Sequence, residues 1–273
     1  GFVILALGKL GSQELNYSSD VDLIALYDQE EITYVGTESP HDCFCRLTQY
    51  LVQILTERTA DGYVFRTDFR LRPDAGATPL AISMVAAETY YESVGQNWER
   101  AAMIKARPVA GDWSSGHKFL EQLSPFVWRK NLDYAAIKDI QSIKRQIDSK
   151  GRRGEFKIPG HNIKLGIGGI REIELFAQTQ QLIAGGRDPS LRNPTTPGAL
   201  EALAASNRIT KQVKEELLSA YQFLRRVEHR LQMVSDEQTH TLPKDSKSLA
   251  LFSIFLGYQS PEAFGNELMI HVN

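Results

Sequence analysis

The chain has 273 residues, 42% of them hydrophobic and 23% charged, with a formal net charge of −2 and a pI near 6.4. That length predicts two units rather than one large core, and no apolar run approaches the roughly 20 residues that cross a bilayer, so no membrane association is expected. The slightly acidic balance argues against a broad basic surface for nucleic acid, which needs many lysines and arginines near phosphates, while a small nucleotide remains compatible.

The chain opens on Gly1-Phe2-Val3-Ile4-Leu5-Ala6-Leu7, with no initiator methionine and no charged leader. The short apolar run ending at Gly8 predicts a buried strand over 2–7. A domain rarely begins on its buried strand, so the sequence reads as a piece of a longer protein. A short turn-helix is predicted over 9–15, a second strand over 21–27, and a helix over 42–58 with Phe44, Leu47, Leu51 and Leu55 on one face. Cys43 and Cys45 stand two apart in that helix, where a disulfide is awkward and a zinc site lacks its other ligands, so both read as reduced packing residues of a cytoplasmic protein. Residues 64–72 then alternate, with Phe65, Thr67, Phe69 and Leu71 against Arg66, Asp68, Arg70 and Arg72, which predicts a strand with one apolar and one ionic face.

Pro73 ends that strand, Asp74-Ala75-Gly76 is a loop, and helices are predicted over 84–93 and 98–106. Beyond Gly111 strand signals nearly vanish. Helices are predicted over 118–123, 134–149, 170–184, 198–205 and 211–234, separated by Gly-, Pro- and Arg-rich loops over 151–169 and 185–197. The longest carries Val213, Leu217, Tyr221, Leu224, Glu228, Leu231 and Val234 at helical spacing, a packed core face. The expected division is a mixed domain over 1–111 and a helical domain over 112–273.

Ser19-Asp20-Val21-Asp22 places two carboxylates two residues apart at the start of a strand, so both project from one face within about 7 Å. Hard oxygens so arranged suit Mg²⁺ or Mn²⁺, and two such ions roughly 4 Å apart assist phosphoryl and nucleotidyl transfer. Upstream, after the first strand, Gly11-Ser12 offers backbone N–H groups and a hydroxyl that could cradle a phosphate. Strand, Gly-Ser, spacer and alternating Asp together resemble the signature of the nucleotidyltransferase superfamily that includes DNA polymerase beta. That resemblance implies an α+β fold, a mixed sheet with helices, here followed by an all-α helical bundle domain. It also implies a third carboxylate on a neighbouring strand, for which Asp68 is the candidate. An ion pair of Asp68 with Arg66, Arg70 or Arg72 is compatible with that role, since arginines beside such a triad could fork onto phosphate oxygens.

The longer stretch from Gly8-Lys9-Leu10-Gly11-Ser12 through Glu14-Leu15-Asn16 to Ser19-Asp20-Val21-Asp22-Leu23 narrows the resemblance. With Asp68-Phe69-Arg70-Leu71-Arg72-Pro73, Trp98-Glu99-Arg100, Ile104-Lys105-Ala106-Arg107 and Gly168-Gly169-Ile170-Arg171-Glu172-Ile173-Glu174, the sequence is similar to the bifunctional glutamine synthetase adenylyltransferase/deadenylase family over nearly its whole length. Members carry two related units, one attaching AMP to a glutamine synthetase tyrosine and one removing it. The Gly-Gly-Ile-Arg-Glu-Ile-Glu form, in place of Gly-Gly-Ile-Thr-Asp-Ile-Glu, resembles the amino-terminal, AMP-removing unit. One departure is Ser12, where members commonly have a second glycine.

The resemblance implies that inorganic phosphate attacks the AMP–tyrosine phosphodiester, giving ADP, with Asp20, Asp22 and Asp68 as metal ligands and catalytic residues. It implies contacts to nucleotide or phosphate from Gly11, Ser12, Ser19, Arg70, Arg72, Lys105, Arg107, Arg171, Glu172 and Glu174. Lys105 and Arg107 could equally cap a helix end, the acidic residues after Gly169 equally favour a helix start through its dipole, and Trp98 reads as a packing anchor rather than an adenine platform. Expected partners are glutamine synthetase, phosphate and ADP or ATP, with the PII signal protein as a further possibility. Two rival functions stay open: ATP-dependent adenylylation of glutamine synthetase, and a docking or regulatory module that binds glutamine synthetase or PII without catalysis.

Overall fold

The computed structural model describes residues 1–32, 34–130 and 157–272, so the helix expected over 134–149 and the start of the loop expected over 151–169 lie outside the described residues. Strands β1 (Phe2–Ala6) and β2 (Val21–Tyr27) pair antiparallel from Phe2↔Tyr27 to Ala6↔Leu23. Val3, Leu5 and Ala6 of β1 and Ala25 and Leu26 of β2 are fully buried, as centre strands covered on both faces must be. Continuous apolar runs, rather than alternation, are the sequence mark of such strands.

Strand β5 (Arg107–Gly111) joins the far edge of β1 antiparallel, with a bulge between Ile4 and Leu5. It carries Pro108, which an edge strand tolerates because one side of it makes no ladder bonds. On the other side of β2 two short parallel strands follow one another: β3 (Thr67–Asp68) beside its start and β4 (Ala81–Ser83) beside its end. The result is a mixed five-stranded sheet of order β3-β2-β1-β5, with β4 also on β2.

The strand expected over 64–72 is thus cut to two residues. Arg72 turns back on the chain, donating to the carbonyls of Phe69, Ala75, Thr78 and Pro79, and this closes a turn directly after Asp68. Phe69 is buried but Phe65 is 40% exposed, so the expected apolar face is not shared along the segment. Short strands such as β4 and β5 lie below what alternation can reveal, and neither was anticipated.

Helix α1 (Gly8–Gly11) is a single turn after β1. Helix α2 (Pro40–Thr56) starts at Ser39, whose hydroxyl accepts from the Asp42 N–H, with Pro40 in the first turn where its missing donor costs nothing. Phe44, Leu51, Val52 and Leu55 pack on the β1–β2 core, while Leu47, expected on that face, is 45% exposed. Cys43 and Cys45 are both free thiols. Helices α3 (Met84–Ser93), α4 (Asn97–Met103), α5 (Trp113–Gln122) and α6 (Ser124–Val127) follow, α3 and α5 capped by Ser83 and Asp112.

After α6 every described element is helical: α7 (Ile170–Ala184), a 3₁₀ turn (Pro189–Leu191), α8 (Thr196–Ala205), α9 (Lys211–Ser235), α10 (Ser246–Phe255) and α11 (Pro261–Val272). The last two helices were not anticipated. Thr195, Thr210 and Asp245 cap their helices, and Asp236 ends α9 in the left-handed conformation. Tyr221, Leu224, Glu228 and Leu231 of α9 are buried as expected, but Val213 and Val234 at its ends are exposed. Leu224, Leu268 and Phe264 are fully buried in this core, each such side chain contributing roughly 1.5 to 3 kcal/mol.

The chain forms two compact units, Gly1–Leu15 with Ser19–Asn131 and Gly185–Pro189, and Asn16–Ser18 with Leu132–Ala184 and Ser190–Asn273. The first therefore includes α5 and α6, because Gly116 of α5 lies against Val3 and Pro108 of the sheet. No helix among the described residues is long and apolar enough to cross a membrane.

Candidate active site

Strand β2 begins where β3 lies beside it, and the parallel register sets Asp22 directly opposite Asp68. Residues opposite one another in a sheet share a face, and Asp20, two residues before Asp22, shares it by the two-residue period. Three carboxylates thus stand on one face at the start of two neighbouring strands. All three feel the guanidinium of Arg70.

The turn after β1 meets the same place. Gly8 has φ of +53°, and a Cβ built on it would lie 2.1 Å from Asp22 Oδ2. Only glycine allows this backbone both the left-handed conformation and that approach to a carboxylate. The turn is fixed by the Leu7 N–H donating to the Asp22 carbonyl at 2.9 Å. Gly8, outside the candidate residues drawn from the motif, is marked in the sequence as the glycine that immediately ends the first strand.

Gly11 and Ser12 hold the turn together. Ser12 is fully buried, and its hydroxyl donates to the carbonyls of Gly8 at 3.1 Å and Lys9 at 3.4 Å. A Cβ on Gly11 would lie 2.1 Å from the Lys105 carbonyl, so this glycine serves a close backbone contact. Arg107 closes α1 by donating to the carbonyls of Gly11 and Leu10, both at 2.9 Å, which is the helix-capping alternative for that residue. Lys105 is buried with its Nζ 3.8 Å from Glu14 Oε2. Ser19 is buried just ahead of Asp20.

The arginines divide sharply. Arg72 braces the turn through backbone carbonyls, as above. Arg66 Nε donates to Asp20 Oδ1 at 2.9 Å, and its guanidinium also bonds the Tyr63 hydroxyl and lies 5.5 Å from the centre of that ring. Arg70 Nε donates to both oxygens of Asp68, at 3.0 and 2.8 Å, while its backbone N–H donates to Asp68 Oδ1 at 2.8 Å. Those bonds hold the Asp68 carboxyl below the usual carboxylate range, against the opposing effect of partial burial. Among the described residues no three carboxylate, imidazole or thiol groups close on one point as an ion cage. The donor set is nonetheless three hard-oxygen groups, the kind that Mg²⁺ or Mn²⁺ takes.

Trp98, expected as a packing anchor, is 45% exposed, and its neighbours Glu99 and Arg100 are buried instead. Glu99 reaches back to the Gln96 N–H as a capping box, which points it inward. Arg100 donates to the Val127 carbonyl and Asn97 Oδ1, and burial pushes it down to about 10. Arg171, Glu172 and Glu174 belong to the second unit, where Arg171 Nη1 lies 3.4 Å from Glu174 Oε2. Gly168, just ahead of them, adopts φ of +67° where a Cβ would strike the Val272 backbone, so it serves packing within that unit.

Residues 1–122 match the family model described as Glutamate-ammonia ligase adenylyltransferase. Over 268 residues, 98% of this chain, the sequence is 58% identical to the bifunctional glutamine synthetase adenylyltransferase/adenylyl-removing enzyme of Rhizobium meliloti (strain 1021), covering 27% of that protein. The chain belongs to the glutamine synthetase adenylyltransferase family. Proteins of the same name from Bradyrhizobium sp. (strain ORS 278) and Rhodopseudomonas palustris (strain BisB5) are each 55% identical, over 100% and 99% of this chain and 28% and 27% of theirs. The chain thus spans just over a quarter of the length of these family members. Residues 141–273 match a second model, GlnD PII-uridylyltransferase, a likeness that the motifs alone did not reveal. The mixed sheet and the helices around it, within the residues matched by the first model, fit a nucleotidyltransferase-type fold.

Proposed function

We propose that this chain is the adenylyl-removing unit of its family, taking AMP from an adenylylated tyrosine of glutamine synthetase with inorganic phosphate as the attacking group. The observation that carries the reading is the alignment of Asp22 with Asp68 on parallel strands, with Asp20 beside them and Gly8 against them. The Gly168-Gly169-Ile170-Arg171-Glu172-Ile173-Glu174 form supports removal over attachment. A separate helical domain over 112–273, beginning earlier in sequence than the second compact unit, and a cytoplasmic setting belong to the same proposal.

Asp20, Asp22 and Asp68 would hold Mg²⁺ or Mn²⁺, which when bound supplies charge neutralisation at the phosphorus and orients the attacking oxygen. The chain's own residues do the rest. Gly8 lets the backbone lie directly against the Asp22 carboxylate, which any side chain there would push aside. Arg66 keeps Asp20 aimed, since its guanidinium is itself fixed on Tyr63. Arg70 supplies a mobile positive charge for the anionic group in transfer. A phosphate oxygen bonds to the AMP phosphorus as the bond to the tyrosine oxygen breaks; the tyrosine oxygen gains a proton and ADP leaves.

Incubating adenylylated glutamine synthetase with this chain, Mg²⁺ and phosphate should yield ADP and unmodified enzyme. AMP as the product would replace phosphate by water as nucleophile. Transfer of label from ATP onto unmodified glutamine synthetase, with no release, would establish the attaching activity instead. Binding of glutamine synthetase or PII without any metal-dependent nucleotide binding would establish a docking module.

A further inference from the structure

The carboxylate face poses an electrostatic question of its own. Three carboxylates on adjacent strands repel one another unless a positive charge stands among them. Two guanidinium groups do stand there, and they are held differently. Arg66 is one-third exposed and tied to Tyr63 by a hydrogen bond and by its place over the ring, so it is a fixed partner of Asp20. The Arg70 side chain is 84% exposed, and among the described residues all its hydrogen bonds go to Asp68, a residue only 12% exposed. A guanidinium on one carboxylate, with water on its other side, is positioned to leave.

We propose that Arg70 is a displaceable counter-ion of the carboxylate face: it occupies Asp68 while no divalent cation is bound, and must release Asp68 before the ion can be ligated. This rests on the reading of Asp20, Asp22 and Asp68 as metal ligands. It accounts for two observations together, namely that three aligned carboxylates do not close into an ion cage and that the more exposed of the two guanidinium groups forks onto Asp68, which is less exposed than Asp20. Release also sets the fork free for an anionic oxygen of the substrate, so one side chain holds the site in order when empty and answers the substrate's charge when filled. Because the guanidinium of the pair is solvent-exposed and screened, the competition is modest and readily reversed.

Mn²⁺ binding to the whole chain, followed by the paramagnetic resonance of the free ion with no nucleotide present, tests this against Arg70→Gln and Asp22→Asn. Arg70→Gln is expected to bind Mn²⁺ about two- to five-fold more tightly than the parent chain, in line with the strength of an exposed ion pair. Asp22→Asn is expected to lose binding. In nitrogen-15 spectra the Arg70 Nε–H signal of the parent chain should shift on saturation with Mg²⁺, and should stay in place in Asp22→Asn. If Asp22→Asn loses binding while Arg70→Gln binds no more tightly, or if the Arg70 signal does not move, the counter-ion proposal falls and the metal site stands. If Asp22→Asn binds like the parent, the metal-ligand reading falls, and this proposal with it.

Discussion

Arg70 holds Asp68 at the start of the sheet, while Arg225 holds Glu228 inside the second unit, and the same two chemical groups do opposite work in the two places. Arg225 Nη1 donates to Glu228 Oε2 at 2.9 Å, His240 Nδ1 lies 3.0 Å from the other oxygen, and the Glu228 side chain is fully buried. A buried carboxylate cannot fall back on water, so removing one partner leaves an uncompensated charge. The pair at the sheet faces a smaller penalty, because the Arg70 guanidinium is 84% exposed and water takes over from it, although Asp68 is only 12% exposed. Burial, more than bond geometry, decides which pair is structure and which is free to be machinery.

The largest effect is expected at the exposed face, in function alone. Asp22→Asn should lower ADP formation from adenylylated glutamine synthetase at least about 100-fold, since even outer partners of metal ligands cost 10- to 100-fold, with an unchanged circular-dichroism spectrum. Retained turnover would remove the carboxylate face from the chemistry. The buried pair should show the reverse. Glu228→Ala should destabilise the chain by about 3 kcal/mol in chemical denaturation, whereas Arg70→Ala should leave the denaturation midpoint where it was; equal shifts in both would erase the contrast.

Gly8→Ala lies between these cases. It forces a side chain onto a left-handed backbone, at roughly 1 to 2 kcal/mol, and against Asp22, so Mn²⁺ binding should weaken more than stability does. A loss of stability with binding unaltered would make Gly8 a purely structural residue. The smallest effect concerns pH in the second unit. Burial holds His161 below its ordinary value of 6.5. Its neutral form is therefore the folded one, and stability should fall as pH drops below about 6.5, until the folded-state value is passed. His161→Asn should flatten that fall over the same range; an unaltered slope would assign the pH dependence elsewhere.

Much of the carboxylate face was legible because strand periodicity is local. Asp20 and Asp22 share a side whatever else the chain does, and β2 was placed over the residues it occupies. Asp68 was legible from its ionic alternation, although the strand around it shrinks to two residues because Arg72 folds back on the carbonyls beyond it. The packing around the Gly11-Ser12 pair is set by tertiary contacts. Its surroundings are Lys105 and Arg107, more than 90 residues away in sequence, and their contacts made the pair a buried joint. Gly8 could have been found, since a glycine closing a buried strand ahead of two aspartates is the place where backbone must approach a carboxylate.

The sequence by itself determined the family, the apolar centre strands, the principal helices and the three candidate carboxylates, because each depends on residue type, short-range spacing or motif. Only the tertiary structure decided that Asp22 faces Asp68, that Gly8 is the glycine beside them, and which arginine is bound to which carboxylate. Strand register, side-chain burial and the direction in which a long cation folds are set by contacts between distant segments, and no local pattern encodes them.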